Sequence, residues 1–136
     1  MNYLLDTNHW SYIQRRHPAV LSHLQTLSND AVLYMPVIAQ AELLAGVELT
    51  VAGRRKDELR RLYEHVVGES AQILPVDSRV AEQFAATFAR LHRAGRPIET
   101  NDIWIAAIAA VHDCIVVSND AHFRSIEGLR VEDWTS

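Results

Sequence analysis

The sequence is poor in cysteine, lysine, glycine and long apolar runs, and each shortage removes a class of protein. Its 136 residues hold one cysteine, Cys114, which rules out an intrachain disulfide and a thiolate metal site. No apolar run approaches the roughly 20 residues a membrane helix needs. The start, Met1-Asn2-Tyr3-Leu4-Leu5-Asp6, has neither the basic n-region nor the apolar h-region of a signal peptide, so a cytoplasmic chain with no membrane role is expected. The five glycines form no phosphate-cradling loop, and the seven histidines make no His-Glu-x-x-His or other zinc spacing. Lys56 is the only lysine. The other basic residues are arginines, whose planar forks grip phosphate in bidentate fashion.

What is present is ordinary in bulk and uneven in detail. A 49% hydrophobic and 22% charged composition over this length suits one domain, residues 1–136, with its own core. The net charge of −4 argues against a general nucleic-acid binder. Yet Arg54, Arg55, Lys56, Arg60 and Arg61 form one basic segment, and Arg90, His92, Arg93 and Arg96 form another. Arg54, Arg55, Lys56 and Arg60 are the candidates for contact with RNA; the competing reading is a solvated helix face or a helix C-terminus balancing its dipole.

Periodicity and punctuation predict an alternation of strands and helices. Strands are expected over 3–6, 31–35, 73–76, 114–118 and about 129–131. Helices are expected over 8–16, 19–27, 36–49, 54–67, from an Asp77 N-cap to near Gly95 with Val80, Phe84, Phe88 and Leu91 buried, and over 102–111 behind a Thr100 or Asn101 cap. Such alternation implies an α/β fold, a central mostly parallel sheet with helices on both faces, whose ligands bind outside the carboxyl ends of the strands. No repeat, linker or low-complexity tract interrupts it.

Four acids fall where that architecture gathers them. Asp6 ends the first apolar run, and Asp120 follows Cys114-Ile115-Val116-Val117. Glu42 and Asp102 lie in apolar, Ala-rich stretches where a lone carboxylate is costly to bury. Like charges repel, and a divalent cation relieves the repulsion. Asp6, Asp102 and Asp120 are the preferred metal ligands. Glu42 is either a further ligand, through water, or the group orienting the attacking water. Thr7, Asn8, Ser118 and Asn119 are placed to hydrogen-bond those carboxylates, metal waters or phosphate. Taken singly, each acid has a plain structural explanation: a cap, a first-turn charge, an Asn-Asp turn, a helix surface.

The motifs carrying these acids are Asp6-Thr7-Asn8, Ala41-Glu42-Leu43-Leu44-Ala45-Gly46, Asn101-Asp102-Ile103-Trp104-Ile105-Ala106-Ala107 and Ser118-Asn119-Asp120-Ala121-His122-Phe123. In order and spacing, over nearly the whole chain, they resemble the PIN-domain nucleases, and at this size the VapC toxins of bacterial VapBC toxin–antitoxin pairs. Ala94-Gly95-Arg96-Pro97-Ile98 and the ending Gly128-Leu129-Arg130-Val131-Glu132-Asp133-Trp134 are similar to the subgroup that cuts initiator tRNA in its anticodon loop. The departure is Trp104, where many relatives carry an aliphatic residue. The resemblance implies a PIN fold, Mg²⁺ or Mn²⁺, metal-assisted hydrolysis of an RNA phosphodiester, a VapB-like antitoxin, a homodimer and a toxin–antitoxin hetero-oligomer. It also implies an antitoxin groove formed by the early helices and the Glu42 helix.

Other classes fit less well. A haloacid-dehalogenase-like phosphatase wants a second Asp where Asn8 stands. A phosphoacceptor receiver domain needs a lysine after a late strand, and Lys56 is elsewhere. A catalytically inert PIN-fold module that grips RNA or protein is the remaining alternative, and it leaves four acids without a use.

Overall fold

A computed structural model describes residues 1–69 and 71–136. Five parallel strands form one sheet: β1 Asn2–Leu5, β2 Val32–Pro36, β3 Gln72–Leu74, β4 Ile115–Val117 and β5 Val131–Glu132. Their order is β3-β2-β1-β4-β5. The helices are α1 Thr7–Gln14, α2 Pro18–Thr26, α3 Val37–Leu49, α4 Arg54–Glu69, α5 Ser78–Arg93 and α6 Thr100–His112, and a 3₁₀ helix covers Ala121–Ser125. The α/β expectation holds, with helices on both faces.

Alternation along the central strands builds the two cores. Leu4 and Val116 face α5 and α6, beside Val80, Leu91, Ile105 and Ile108. Tyr3, Leu5, Ile115 and Val117 face the other way, onto Trp10, Val20, Val66 and Trp134. Successive strand side chains point to opposite faces, so both layers are served by the same short runs. None of the described helices is long and apolar enough to cross a membrane.

Element ends follow local chemistry. Asp77 caps α5, its Oδ1 accepting the Val80 N–H at 3.0 Å. Pro18 opens α2, and His17 caps it through Nδ1. Gly95, at φ +67°, closes α5: the Arg96 N–H reaches the Leu91 carbonyl and the Gly95 N–H reaches that of His92, a Schellman turn.

Several boundaries differ from expectation. β3 stops at Leu74, ahead of Pro75, which has no N–H for a ladder. β5 lies at Val131–Glu132, two residues late. α6 begins at Thr100 behind Glu99, which makes no side-chain capping bond, so neither Thr100 nor Asn101 is the cap. Phe88 is not buried: it is 49% exposed, because α5 turns its face of Val80, Thr87 and Leu91 inward. It extends instead a surface row in which Phe84 stacks on Trp104 at 3.9 Å.

Candidate active site

The strand order changes direction at β1, with β2 on one side and β4 on the other, and such switch points leave a crevice at the carboxyl edge. Asp6 and Ser118 are the first residues past β1 and β4. The Asp6 N–H donates to the Val117 carbonyl at 3.1 Å, fixing the two strand exits side by side. Both residues are buried.

Asp6 is held from two directions. It caps α1, its Oδ1 accepting the His9 N–H at 2.8 Å, and the same oxygen lies 3.1 Å from His9 Nδ1. His9 is fully buried, and its Nε2 accepts the Trp134 N–H at 3.3 Å. The ring thus stands with Nδ1 directed at Asp6 and Nε2 at the Trp134 amide, with Asp133 Oδ1 3.8 Å from Nε2. The chain's last turn therefore sets the orientation of its first acid.

Asp102 and Asp120 meet on the other side of the crevice. Asp102 sits in the first turn of α6 and is buried. Asp120 caps the 3₁₀ helix by accepting the His122 N–H at 2.9 Å, while its own N–H donates to Ser118 Oγ at 2.9 Å. His122 Nδ1 lies 3.5 Å from Asp102 Oδ2 and 3.3 Å from Asp120 Oδ1. One ligand atom from each of Asp102, Asp120 and His122 falls within 4.8 Å of the others. Burial, and then the Asp120 charge, push the Asp102 carboxyl up to about 7. Asp102 Oδ2 is buried with no hydrogen-bond partner. An orphaned, crowded carboxylate oxygen beside a second carboxylate and an imidazole is a donor set that fits a divalent cation.

Glu42 is exposed on α3 and accepts the Thr7 hydroxyl at 2.8 Å, which ties it to the residue after Asp6. Asn8 is exposed. Asn119 Nδ2 donates to the Tyr12 hydroxyl at 3.2 Å, a link from the strand exit to α1. Ser118 Oγ is spent on the Asp120 backbone. On α4, Arg54 and Arg55 are exposed, Lys56 is half-buried, and Arg60 pairs with Glu48 at 2.9 Å. Glu48 is about 9 Å beyond Glu42 along α3, toward the helix end away from β2.

The structure thus brings Asp102 and Asp120 into direct proximity, with Asp6 at the adjacent strand exit and Glu42 joined through Thr7. The compact ligand group excludes Asp6 and Glu42. Sequence reasoning gave neither His9 nor His122 a role in the site. His9 carried one signal, its place three residues after Asp6, where a helix cap's side chain reaches. His122 carried a similar one, two residues past Asp120. Cys114 is buried just before β4, and burial pushes its thiol up to about 11, which suits a packing role.

Among known proteins, the PIN domain family model matches residues 3–129. The chain is 36% identical to the plasmid stability protein StbB of Pseudomonas syringae pv. tomato, over 94% of each chain. It is 30% identical to ribonuclease VapC1 of Haemophilus influenzae, over 99% of each. The structure of VapBC-1 from nontypeable Haemophilus influenzae superposes with a TM-score of 0.84 at 25% identity, covering 100% of both chains.

Proposed function

This chain belongs to the PIN-domain family, and within it to the VapC ribonucleases, and on that premise we propose that it is a toxin that hydrolyses RNA phosphodiesters with the help of Mg²⁺ or Mn²⁺. One observation carries the reading: a buried Asp102 oxygen that makes no hydrogen bond and has only the His122 ring 3.5 Å away, in a carboxyl raised to about 7, beside Asp120 at a sheet's switch point. Structural carboxylates are usually well hydrogen-bonded; one held beside a second carboxylate, with only a long contact to an imidazole, suits a divalent cation.

Asp102 and Asp120 would hold the cation, with Asp6 at the neighbouring strand exit as the third carboxylate. A bound cation would acidify a water and stabilise negative charge on the phosphate. Asp6 serves by presenting its second oxygen, because His9 occupies the first. Glu42, exposed and steadied by Thr7, is placed to take the proton of an attacking water or to hold a water of the ion. Ser118 fixes the Asp120 backbone, and Asn119 anchors that turn to Tyr12. Asn8, also exposed, is the remaining polar contact for substrate. Arg54, Arg55, Lys56 and Arg60 would meet the RNA on the Glu42 side.

The substrate we infer is tRNA, and initiator tRNA by likeness of residues 94–98 and 128–134 to the subgroup that cuts it. A VapB-like antitoxin is the expected partner, in a hetero-oligomer with a homodimer of this chain, in the cytoplasm. An inert binding module would gain nothing from a buried carboxylate crowded against a second one.

The test is cleavage of purified initiator tRNA and of bulk tRNA by antitoxin-free protein, with Mg²⁺, with Mn²⁺ and with chelator, and with Asp6→Ala and Asp102→Asn as controls. A single metal-dependent cut in initiator tRNA, lost in both variants, is the expected result. A cut in a different RNA would keep the nuclease and discard the subgroup. Activity surviving in both variants would sink the site.

A further inference from the structure

A second pocket lies between the 3₁₀ helix and α5. It is a cavity of about 360 Å³ between the C-terminal half of α5 and residues 124–127, and Thr87, Arg90, Arg96, Arg124, Ser125 and Glu127 are in its lining. Arginine ion pairs among the described residues are Arg60–Glu48 and Arg130–Asp113; Arg90, Arg96 and Arg124 have no carboxylate within 4.0 Å. Each guanidinium offers five N–H donors. The three spend almost none on protein side chains: Arg90 makes one long contact, 3.5 Å, to the buried Thr87 hydroxyl. Three guanidiniums without a paired carboxylate, against the one acid in the lining, Glu127, leave the pocket positive; the Arg124 charge also reaches Asp133 and helps hold its carboxyl low.

Backbone geometry fixes where they stand. The Schellman turn at Gly95 carries Arg96 back against the last turn of α5, into the lining it shares with Arg90. The short connection from α5 to α6 brings that end of α5 to the end of α6 that bears Asp102. Arg124 is on the 3₁₀ helix that Asp120 caps, about 8 Å from it at a rise of roughly 2.0 Å per residue.

We propose that this pocket binds a phosphate of the RNA strand flanking the bond to be cut, an inference that rests on the ribonuclease reading above. A centre built from four carboxylates repels the polyanion it must hold, and a cation offsets that repulsion only locally. The missing positive charge has to lie within a nucleotide or two of the acids, along the strand. Arg124 lies there, on the 3₁₀ helix that Asp120 caps, Arg90 and Arg96 share its pocket, and arginine forks match phosphate oxygens.

Binding can be read apart from cutting. Fluorescence anisotropy of a labelled, mixed-sequence single-stranded RNA oligonucleotide, in EDTA, would compare the full wild-type chain with Arg90→Gln, Arg96→Gln, Arg124→Gln, the triple variant, and Arg79→Gln at the opposite end of α5 as a charge control. Each pocket substitution should weaken binding about tenfold, the low end for a charge-assisted bond, and lower the salt slope by about 0.7 for each phosphate left without its arginine. Arg→Lys variants should fall between wild type and Gln, since they keep the charge and lose the fork. Arg79→Gln should match wild type. A folded triple variant that binds RNA with wild-type affinity and slope overturns the proposal. So does a triple variant that keeps its RNA affinity but loses affinity for a peptide ending in a free carboxylate. Wild type that grips RNA through the pocket but cuts nothing with Mg²⁺ or Mn²⁺ leaves the pocket standing and sinks the ribonuclease reading.

Discussion

Replacing Asp102 by asparagine should stabilise the metal-free protein, by an amount that grows with pH. The carboxyl titrates near 7 in the fold against an ordinary 3.8, because burial and the Asp120 charge disfavour its ionised form. At about 1.36 kcal/mol per pKa unit, the ceiling on that penalty is about 4 kcal/mol. Solvent reaching the crevice and the nearby His122 lower it, and we expect a gain of about 1–2 kcal/mol at pH 8, or about 3–6 °C in Tm for a chain of this size. The sign follows from proton counting. Between pH 4 and 7 the folded state keeps the Asp102 proton while the unfolded state loses it, so wild-type stability falls as pH rises across that window. Asparagine cannot ionise. The two proteins should therefore melt together near pH 4, separate from there upward, and reach their full difference above pH 7. Circular-dichroism melts in EDTA at several pH values give the difference directly, because all other groups titrate in both. Added Mg²⁺ should raise the wild-type Tm and leave the variant's unchanged. A variant less stable than wild type by the same amount at every pH would refute the reasoning. Asp102 would then be serving the first turn of α6 through its dipole.

Three further outcomes are expected. His9→Leu strips a partner from Asp6 Oδ1 and leaves the buried Trp134 N–H unpaired, which should cost about 2–5 kcal/mol in urea unfolding. Faster hydrogen exchange at the Trp134 amide would mark the cause. Glu42→Gln should lower single-turnover cleavage while shifting stability by no more than about 0.5 kcal/mol, since the side chain is exposed and an amide oxygen can still accept from Thr7. Phe88→Ser should cost less than about 1 kcal/mol by thermal melting, far below the 3–5 kcal/mol of a buried phenylalanine.

Much of this was legible in the residues. Alternating strand and helix signals placed all five strands and six helices, because their short apolar runs and caps are local. Asp6 and Asp120 could be set at strand ends for the same reason. The misses concern facts that local pattern does not carry. Phe88 lies at helical spacing with Phe84 and Leu91, yet which side of α5 meets the sheet is settled by α6. The burial of His9 is not a local matter either; its ring is held by the Trp134 amide, 125 positions away. The pairing of His122 with both Asp102 and Asp120 required α6 and the 3₁₀ helix to be docked. The arginines of α5 read as a basic segment, but Arg124 joins Arg90 and Arg96 only in three dimensions.

The hold of Trp134 on His9 also orders events in time. A ribosome delivers Asp6 among its first residues and Trp134 long afterwards. Until β4 arrives, β1 lacks its neighbour on that side, and until the final turn arrives, His9 has nothing to hold its Nε2. A half-made chain carries Asp6, His9 and Glu42 without Asp102 and Asp120, and without the Trp134 amide that holds the His9 ring. The Asp6–His9–Trp134 chain of contacts is therefore among the last parts of the fold to be completed.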